Sequence, residues 1–425
     1  MLSFVTGILA VIGLLALCAL LYDWLVPDAS EMPPDSLSLD AHPETEESAR
    51  ALAANLDAPL LEGSSIDLLR NGDEIFPAML EAIHAARETV NLLTYIYWQG
   101  DIAQRFADAL CAAAGRSVQV RLLVDAAGGH KMNKDVIARL HDAGCHFAWF
   151  RPLRWYNLGR YNHRTHRKVL VVDGRTGFTG GVGIAEVWTG DAGDPDHWRD
   201  NHFRVRGPAV RYLQGSFSVN WRQATGEVLI GQKLFPDLAE TGSVRTVAID
   251  AAPSSRISVI AFTYWLLFHG ARRKIHITTP YFVPDPRLQL GLETAARRGV
   301  EVVLLVPGPH TDSPVVAAAS KTWYRKLLEA GVAIHEYQPS MIHTKQVTVD
   351  DCWAIFGSPN FDARSFSLNY EEALVAFDES LSETLGASFA DDLSHARQIR
   401  LEDIDAWPWW QHVRNRLARM VRAQL

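Results

Sequence analysis

Positive charge is in short supply for a protein that works on nucleic acid. Lys and Arg number 41 against 49 Asp and Glu, a formal charge of -8, whereas a nucleic-acid-binding body ordinarily needs a basic face. Cysteine is scarce as well. Cys18, Cys111, Cys145 and Cys352 are widely scattered, with no Cys-x-x-Cys pair, so neither a disulfide framework nor a cysteine zinc site is indicated. Disorder is equally excluded for the bulk of the chain, because 48% of residues are hydrophobic and 21% charged. A length of 425 residues suggests two domains, or two halves of one large one.

The two ends of the chain differ from its body. Residues Leu2 to Tyr22 lack any charged side chain, and about 20 such residues in a helix cross the hydrocarbon of a bilayer. No Lys or Arg precedes the run and no convincing cleavage site follows it, so an uncleaved anchor over 1–22 is expected rather than a signal peptide. Residues 23–58 carry nine acids and the single base Arg50, interrupted by Pro27, Pro33, Pro34 and Pro43. That composition predicts a solvated linker. Residues 401–425 contain Trp407-Pro408-Trp409-Trp410 and then a helical stretch. There Trp410, Val413, Leu417, Met420, Val421 and Gln424 recur at helical spacing, and Arg414, Arg416, Arg419 and Arg422 carry all the charge. Such a basic amphipathic helix suits either the lipid–water interface or a packed position on the protein body with its basic face in solvent.

Between the ends, the body is written twice. His166-Arg167-Lys168-Val169-Leu170-Val171-Val172-Asp173 is followed by Gly180-Gly181-Val182-Gly183, and 177 residues later His343-Thr344-Lys345-Gln346-Val347-Thr348-Val349-Asp350 is followed by Gly357-Ser358-Pro359-Asn360. The lead-ins also match. Apolar strands around 117–124 and 299–306 each follow a helix and precede another that stops at Gly144 or Gly331. Strands alternating with helices of this length predict α/β layering, with two halves, 59–240 and 241–400, packed around a pseudo-twofold axis.

Alternate side chains of a strand share a face, so His166 and Lys168 point one way, as do His343 and Lys345. Asp173 and Asp350 have the opposite parity and belong elsewhere. Two such strands meeting at a twofold bring two imidazoles and two ammonium groups into one cleft. One neutral imidazole can attack phosphorus while the other, protonated, donates to the leaving oxygen. The lysines offset charge on the non-bridging oxygens. No carboxylates cluster near these strings in the manner of a metal cage, so no metal ion or other cofactor is required.

The paired His-x-Lys-x4-Asp strings, each followed by a Gly-[Gly/Ser]-x-Asn-like echo, resemble the phospholipase D superfamily. Asn162-His163-Arg164-Thr165-His166-Arg167-Lys168, Trp198-Arg199-Asp200, Pro280-Tyr281-Phe282-Val283-Pro284-Asp285 and Asn360-Phe361-Asp362-Ala363-Arg364-Ser365 make the chain most similar to the bacterial cardiolipin synthase branch. The resemblance implies an α/β fold of two phospholipase D-like α/β/α halves, with the N-terminal transmembrane helix added. It carries the catalytic set His166, Lys168, Asp173, His343, Lys345 and Asp350 onto this chain, with His166 as nucleophile and His343 as general acid and then base. Asp173 and Asp350 are expected to be structural members of that set. Asn360 and Ser358 would contact phosphoryl oxygens. Gly183 stands where the family usually has Asn, so Gly181 and Arg164 are taken as the substrate-binding residues of the first half. By position downstream, Asp200 is expected to orient His166 and Glu371 to orient His343.

Those expectations add up to a membrane-associated phosphatidyltransferase. It would move a phosphatidyl group from phosphatidylglycerol to a second lipid alcohol through a phosphohistidine. The partners are phospholipids and a membrane, with no nucleic acid, and the location is a bacterial inner membrane through a single-pass anchor. Hydrolysis of the same intermediate by water is the alternative, and a nuclease the more distant one.

Overall fold

A computed structural model describes residues 13, 14, 17, 45–153, 162–253 and 258–419. Most of the expected anchor, the linker as far as residue 44, and residues 420–425 therefore lie outside the described residues. Among the described residues no helix is long and apolar enough to cross a membrane.

The first repeat runs β1 (Leu61–Arg70), α2 (Asn71–Ala85), β2 (Thr89–Thr94), α3 (Asp101–Gly115), β3 (Gln119–Asp125), α4 (Lys134–Asp142) and β4 (His146–Phe150), then β5 (Val169–Val172), β6 (Thr176–Gly180), β7 (Asn201–Arg206) and α5 (Val210–Thr225). The second runs β8 (Val244–Ala251), α6 (Val259–Gly270), β9 (Lys274–Thr278), β10 (Phe282–Val283), α7 (Pro286–Arg297), β11 (Glu301–Pro307), α8 (Pro314–Glu329) and β12 (Ala333–Tyr337). It continues with β13 (Gln346–Val349), β14 (Trp353–Gly357), β15 (Phe361–Asp362), α9 (Ala363–Ser367), β16 (Glu371–Phe377), α10 (Glu379–Ser394) and β17 (Ala396–Ile399).

One sheet of 15 strands joins both repeats, in the order β17-β12-β11-β9-β13-β14-β16-β8-β1-β7-β6-β5-β2-β3-β4. Outward from the β8–β1 junction the two arms match strand for strand, and β17 extends one of them. In each arm three neighbouring strands are parallel, β2-β3-β4 and β9-β11-β12. β2, β3 and β11 are buried along almost their whole length, as strands covered on both faces are. Alternation then divides the core: Val90 and Leu92 of β2 face the cluster under α2, α3 and α4, whereas Leu93 faces α5. The cluster beneath α5 and α10 takes residues from both arms, and Phe203 of β7 stacks on Phe356 of β14 at 3.9 Å. The two repeats therefore share part of one apolar core.

Local chemistry sets the element ends. Asn133, Asp285 and Ser313 cap α4, α7 and α8 through their side chains, the last two followed by proline at the first helical position. Gly144 and Gly331 leave α4 and α8 at φ +84° and +97°, which glycine adopts without strain.

The expected linker ends earlier than its composition suggested. Residues Glu46–Asn55 form a helix, α1, capped by Thr45 with Glu46 and Glu47 in its first turn. Acids there complement the helix dipole, and Ala49, Leu52 and Ala53 bury one stripe in the core of the second repeat. At the other end, α11 (Leu401–Asp405) stops before Pro408, and α12 (Trp409–Arg419) packs against α8.

Candidate active site

The sheet delivers two extended segments to one place. His166 and Lys168 immediately precede β5, beside the carboxyl ends of the parallel strands β2 and β3. His343 and Lys345 precede β13 in the corresponding position. Ligands of open α/β sheets ordinarily bind at such strand ends.

Each histidine is clasped by backbone from the opposite repeat. His166 N–H donates to the Tyr370 carbonyl at 2.9 Å, and His343 N–H to the Arg199 carbonyl at 2.7 Å. Thr165 bridges to Tyr370, and Ile342 to Arg199. The residue following each clasp is an acid, Glu371 after Tyr370 and Asp200 after Arg199. The carboxylate partners are therefore crossed between repeats. His166 Nδ1 lies 3.0 Å from Glu371 Oε1, and His343 Nδ1 lies 2.7 Å from Asp200 Oδ2. This corrects the expected pairing of Asp200 with His166 and Glu371 with His343. Downstream order in the chain does not determine which histidine an acid reaches, because the strand carrying it crosses to the other repeat's loop.

Both acids are fully enclosed and held. Glu371 accepts from the Ser358 hydroxyl and the Asn369 amide. Asp200 accepts from its neighbour Asn201 N–H at 2.8 Å and from Trp188 Nε1 at 3.2 Å. Ser358 thus sits behind a carboxylate, one bond removed from the reacting groups. Gly181, its counterpart, has a spatial role: a Cβ there would lie 2.3 Å from both Asp200 oxygens. Gly183 yields in the same way, since a Cβ would meet Ile96 at 2.9 Å and the Trp188 ring at 3.0 Å. The indole that braces Asp200 occupies the room a longer residue at 183 would need.

The lysines curl symmetrically. Lys168 Nζ donates to the His166 carbonyl at 2.6 Å, and Lys345 Nζ to the His343 carbonyl at 2.7 Å while lying 3.1 Å from both ring nitrogens of His343. Asn360 is buried, and its side-chain oxygen has no hydrogen-bond partner among the described residues; that oxygen only accepts, so the group available to a phosphoryl oxygen is the amide N–H. Aromatic rings border the imidazoles: Tyr95 against His166 at 5.2 Å, Trp188 and Trp198 each 5.3 Å from His343.

Three expected members lie elsewhere. Asp173, at φ +53°, accepts the backbone N–H groups of Arg87, Glu88 and Thr89. Asp350, at φ +52°, does the same for Arg272, Arg273 and Lys274. Each signature aspartate ties the end of one strand to the start of its neighbour, at the far end of the strand from the histidine, which corrects its place in the catalytic set and agrees with a structural part. Arg164 is buried against Asp125, with Nη1 3.4 Å from Oδ1, and its Nη2 donates to the Arg151 carbonyl. It organises the loop entering His166 and does not stand in for the missing asparagine. Arg167 points to the opposite face, among Ser216, Asn220 and Asp250.

Burial governs the protonation states. It is the largest influence on His166, outweighs the attraction of Glu371 and, with Lys168, lowers the imidazole to about 4. His343 is pushed well below its ordinary value by burial and then by Lys345, Lys168 and His166. Burial and mutual repulsion bring Lys168 down to about 7; burial brings Lys345 to about 8 against the pull of Asp200 and Glu371. The two acids diverge. Burial raises Asp200 to about 6, whereas for Glu371 it is overcome by His166, Lys168 and Ser358, which hold that carboxyl at about 2. His166 therefore faces a fixed anion that keeps its proton on Nδ1 and its lone pair on Nε2. His343 Nδ1 likewise faces a buried carboxylate, Asp200, at 2.7 Å. Charges of each pair perturb the other's: Lys345 lowers His166, and Lys168 and His166 lower His343.

Sequence reasoning passed over Asn369 and Tyr95; it singled out the loop from Trp188 to Trp198 as a rim over the cleft, and both indoles border His343. The Trp-Arg-Asp string at 198–200 was a visible signal; nothing in spacing pointed to Asn369 or Tyr95.

A family model described as "Cardiolipin synthase, PLD-like domain" matches residues 79–187 and 266–393. The major cardiolipin synthase of Bacillus subtilis (strain 168) is 33% identical over 374 residues, 87% of this chain and 77% of that protein. Cardiolipin synthase A of Pseudomonas putida (strain F1) is 33% identical over 364 residues, covering 85% and 75%. Among solved structures, the phosphatidylserine synthase of Haemophilus influenzae Rd KW20 superposes with a TM-score of 0.64 at 15% identity, over 89% of this chain and 100% of that one. That last likeness concerns the fold.

Proposed function

The chain belongs to the cardiolipin synthase family with phospholipase D-like domains, and from that premise we propose how its cleft transfers a phosphatidyl group. The observation that carries the reading is the crossed pairing, in which a buried carboxylate of the opposite repeat backs each imidazole, Glu371 behind His166 and Asp200 behind His343. His166 is the nucleophile. Its Nε2 lone pair attacks the phosphorus of phosphatidylglycerol, the P–N bond forms and the bond to the glycerol oxygen breaks.

His343 supplies the proton that the departing glycerol needs. In the empty cleft the lysines and burial hold it neutral. The phosphodiester monoanion offsets one of the two ammonium charges, and His343 then takes up the proton it delivers. In the second step a hydroxyl of another lipid gives its proton to His343 and attacks phosphorus, and the P–N bond breaks. Lys168, Lys345 and Asn360 bind the non-bridging oxygens throughout. Asp200 and Glu371 are positioning residues, fixing tautomer and ring orientation. The uncharged run Leu2–Tyr22 supports a single-pass anchor that keeps this cleft at its lipid substrates.

The test is product analysis. Full-length protein incubated with phosphatidylglycerol vesicles releases free glycerol and a four-chain lipid in equal amounts. Phosphatidate in place of the four-chain lipid assigns the protein to hydrolysis, and absence of both products removes the proposal.

A further inference from the structure

The terminal helix α12 is docked the wrong way round for an ordinary surface helix. A helix on a folded body normally turns its apolar stripe inward. Here Gln411, His412, Asn415 and Ala418 face the protein, with Asn415 only 3% exposed and Ala418 against the core. The large apolar side chains are left outside: Trp409 is 77% exposed, Trp410 52%, Val413 47% and Leu417 60%. At about 100° per residue, those four occupy one continuous arc diametrically opposite the docked face. Arg416 borders one edge of the arc and Arg414 the other, both exposed.

The helix is anchored in that orientation. Arg419 lies over the Trp323 ring of α8 at 5.0 Å, and Trp407, just before the helix, packs beside Tyr324. No acid occurs from Ala406 to Leu425. An apolar arc with two tryptophans and flanking arginines matches the chemistry of an anionic bilayer surface: rings and aliphatic chains enter the headgroup boundary and guanidinium groups meet phosphates. A protein partner would have to supply an apolar groove lined with acids.

We infer that the Trp409–Leu417 face of α12 is an interfacial docking surface for anionic lipid, separate from any membrane anchor at the other end of the chain. It rests on helix geometry and charge, so it stands independently of which reaction the cleft performs.

The experiment uses the full chain with vesicles of brominated phosphatidylcholine containing phosphatidylglycerol, and reads tryptophan quenching. The double variant Trp409→Phe/Trp410→Phe keeps the arc apolar but removes its reporters. The difference between wild type and this variant is the signal of the helix itself. A distinct quenched component is expected, and in a Val413→Glu/Leu417→Glu background it falls about tenfold. Replacing phosphatidylglycerol by phosphatidylcholine weakens it, as does Arg414→Gln/Arg416→Gln. Equal quenching of wild type and the phenylalanine variant overturns the inference. So does concentration-dependent shielding of these tryptophans from iodide without lipid, which assigns the face to a second copy of the chain. No turnover is measured, so the outcome is separable from that of the product analysis.

Discussion

Changing Glu371 to glutamine is the sharpest probe of the crossed site. The substitution is isosteric, and Ser358 and Asn369 remain to hold the side chain. It removes the anion 3.0 Å from His166 Nδ1. Two losses combine. As Nε2 attacks phosphorus the ring becomes cationic, and a buried charge-assisted hydrogen bond to it is worth about 1.5–3 kcal/mol, which is roughly 10- to 150-fold in rate at about 1.36 kcal/mol per decade. An amide can also present its N–H to Nδ1, moving the ring proton to Nε2 and blocking the lone pair. The same carboxylate-to-amide change behind a catalytic histidine costs about 10⁴ in the serine protease triad. Phosphoryl-enzyme formation should therefore slow by about 10³- to 10⁴-fold. Quenched-flow labelling with a radiolabelled donor reads it, the adduct being acid-labile and alkali-stable. With an activated leaving group that needs no acid, Asp200→Asn should label nearly as fast as wild type. Labelling of Glu371→Gln within about threefold of wild type, or the opposite ranking of the two variants, would refute the crossed assignment.

Other outcomes follow from particular contacts. Because burial depresses Lys168 to about 7 and Lys345 to about 8, the free enzyme loses positive charge as pH rises through that range. kcat/KM for an anionic donor should fall accordingly in a pH–rate profile at constant ionic strength, and a plateau extending well above pH 9 would contradict those depressed values. Gly181→Ala places a Cβ against both Asp200 oxygens; transfer should drop about a hundredfold with the far-UV spectrum unchanged, and a fully active variant would show that Asp200 can move without cost. Asp350→Asn weakens three backbone contacts and should cost about 1–3 kcal/mol of stability by denaturant titration, while turnover per folded molecule stays near wild type.

Much of this architecture could be read from one chain. The 177-residue offset between His166 and His343 disclosed the repeat, and side-chain parity separated Asp173 and Asp350 from the chemistry before their backbone contacts were seen. Parity also turned Arg167 away from the cleft. What escaped was non-local. Glu371 and Asp200 were identifiable as acids, but which imidazole each serves depends on a bridge between repeats, and local order carries no record of that. Arg164 shares a face with His166 by spacing, yet the buried Asp125 claims it. Gly183 read as a missing amide; in three dimensions it is the space taken by Trp188, a residue whose loop carries no periodic pattern. The helix at Glu46–Asn55 was obscured by acidity, since a window average blends its apolar stripe into the proline-rich stretch before it.

Mapping the trapped intermediate bears most directly on the claim that two imidazole–lysine pairs grip one phosphorus. Full-length protein is quenched in alkali during turnover of a labelled donor, digested, and sequenced by mass spectrometry. The label should sit on Nε2 of His166, accumulate in His343→Ala when the donor has an activated leaving group, and be absent from His166→Ala. Label on His343, or full turnover with no label on either histidine, would contradict it.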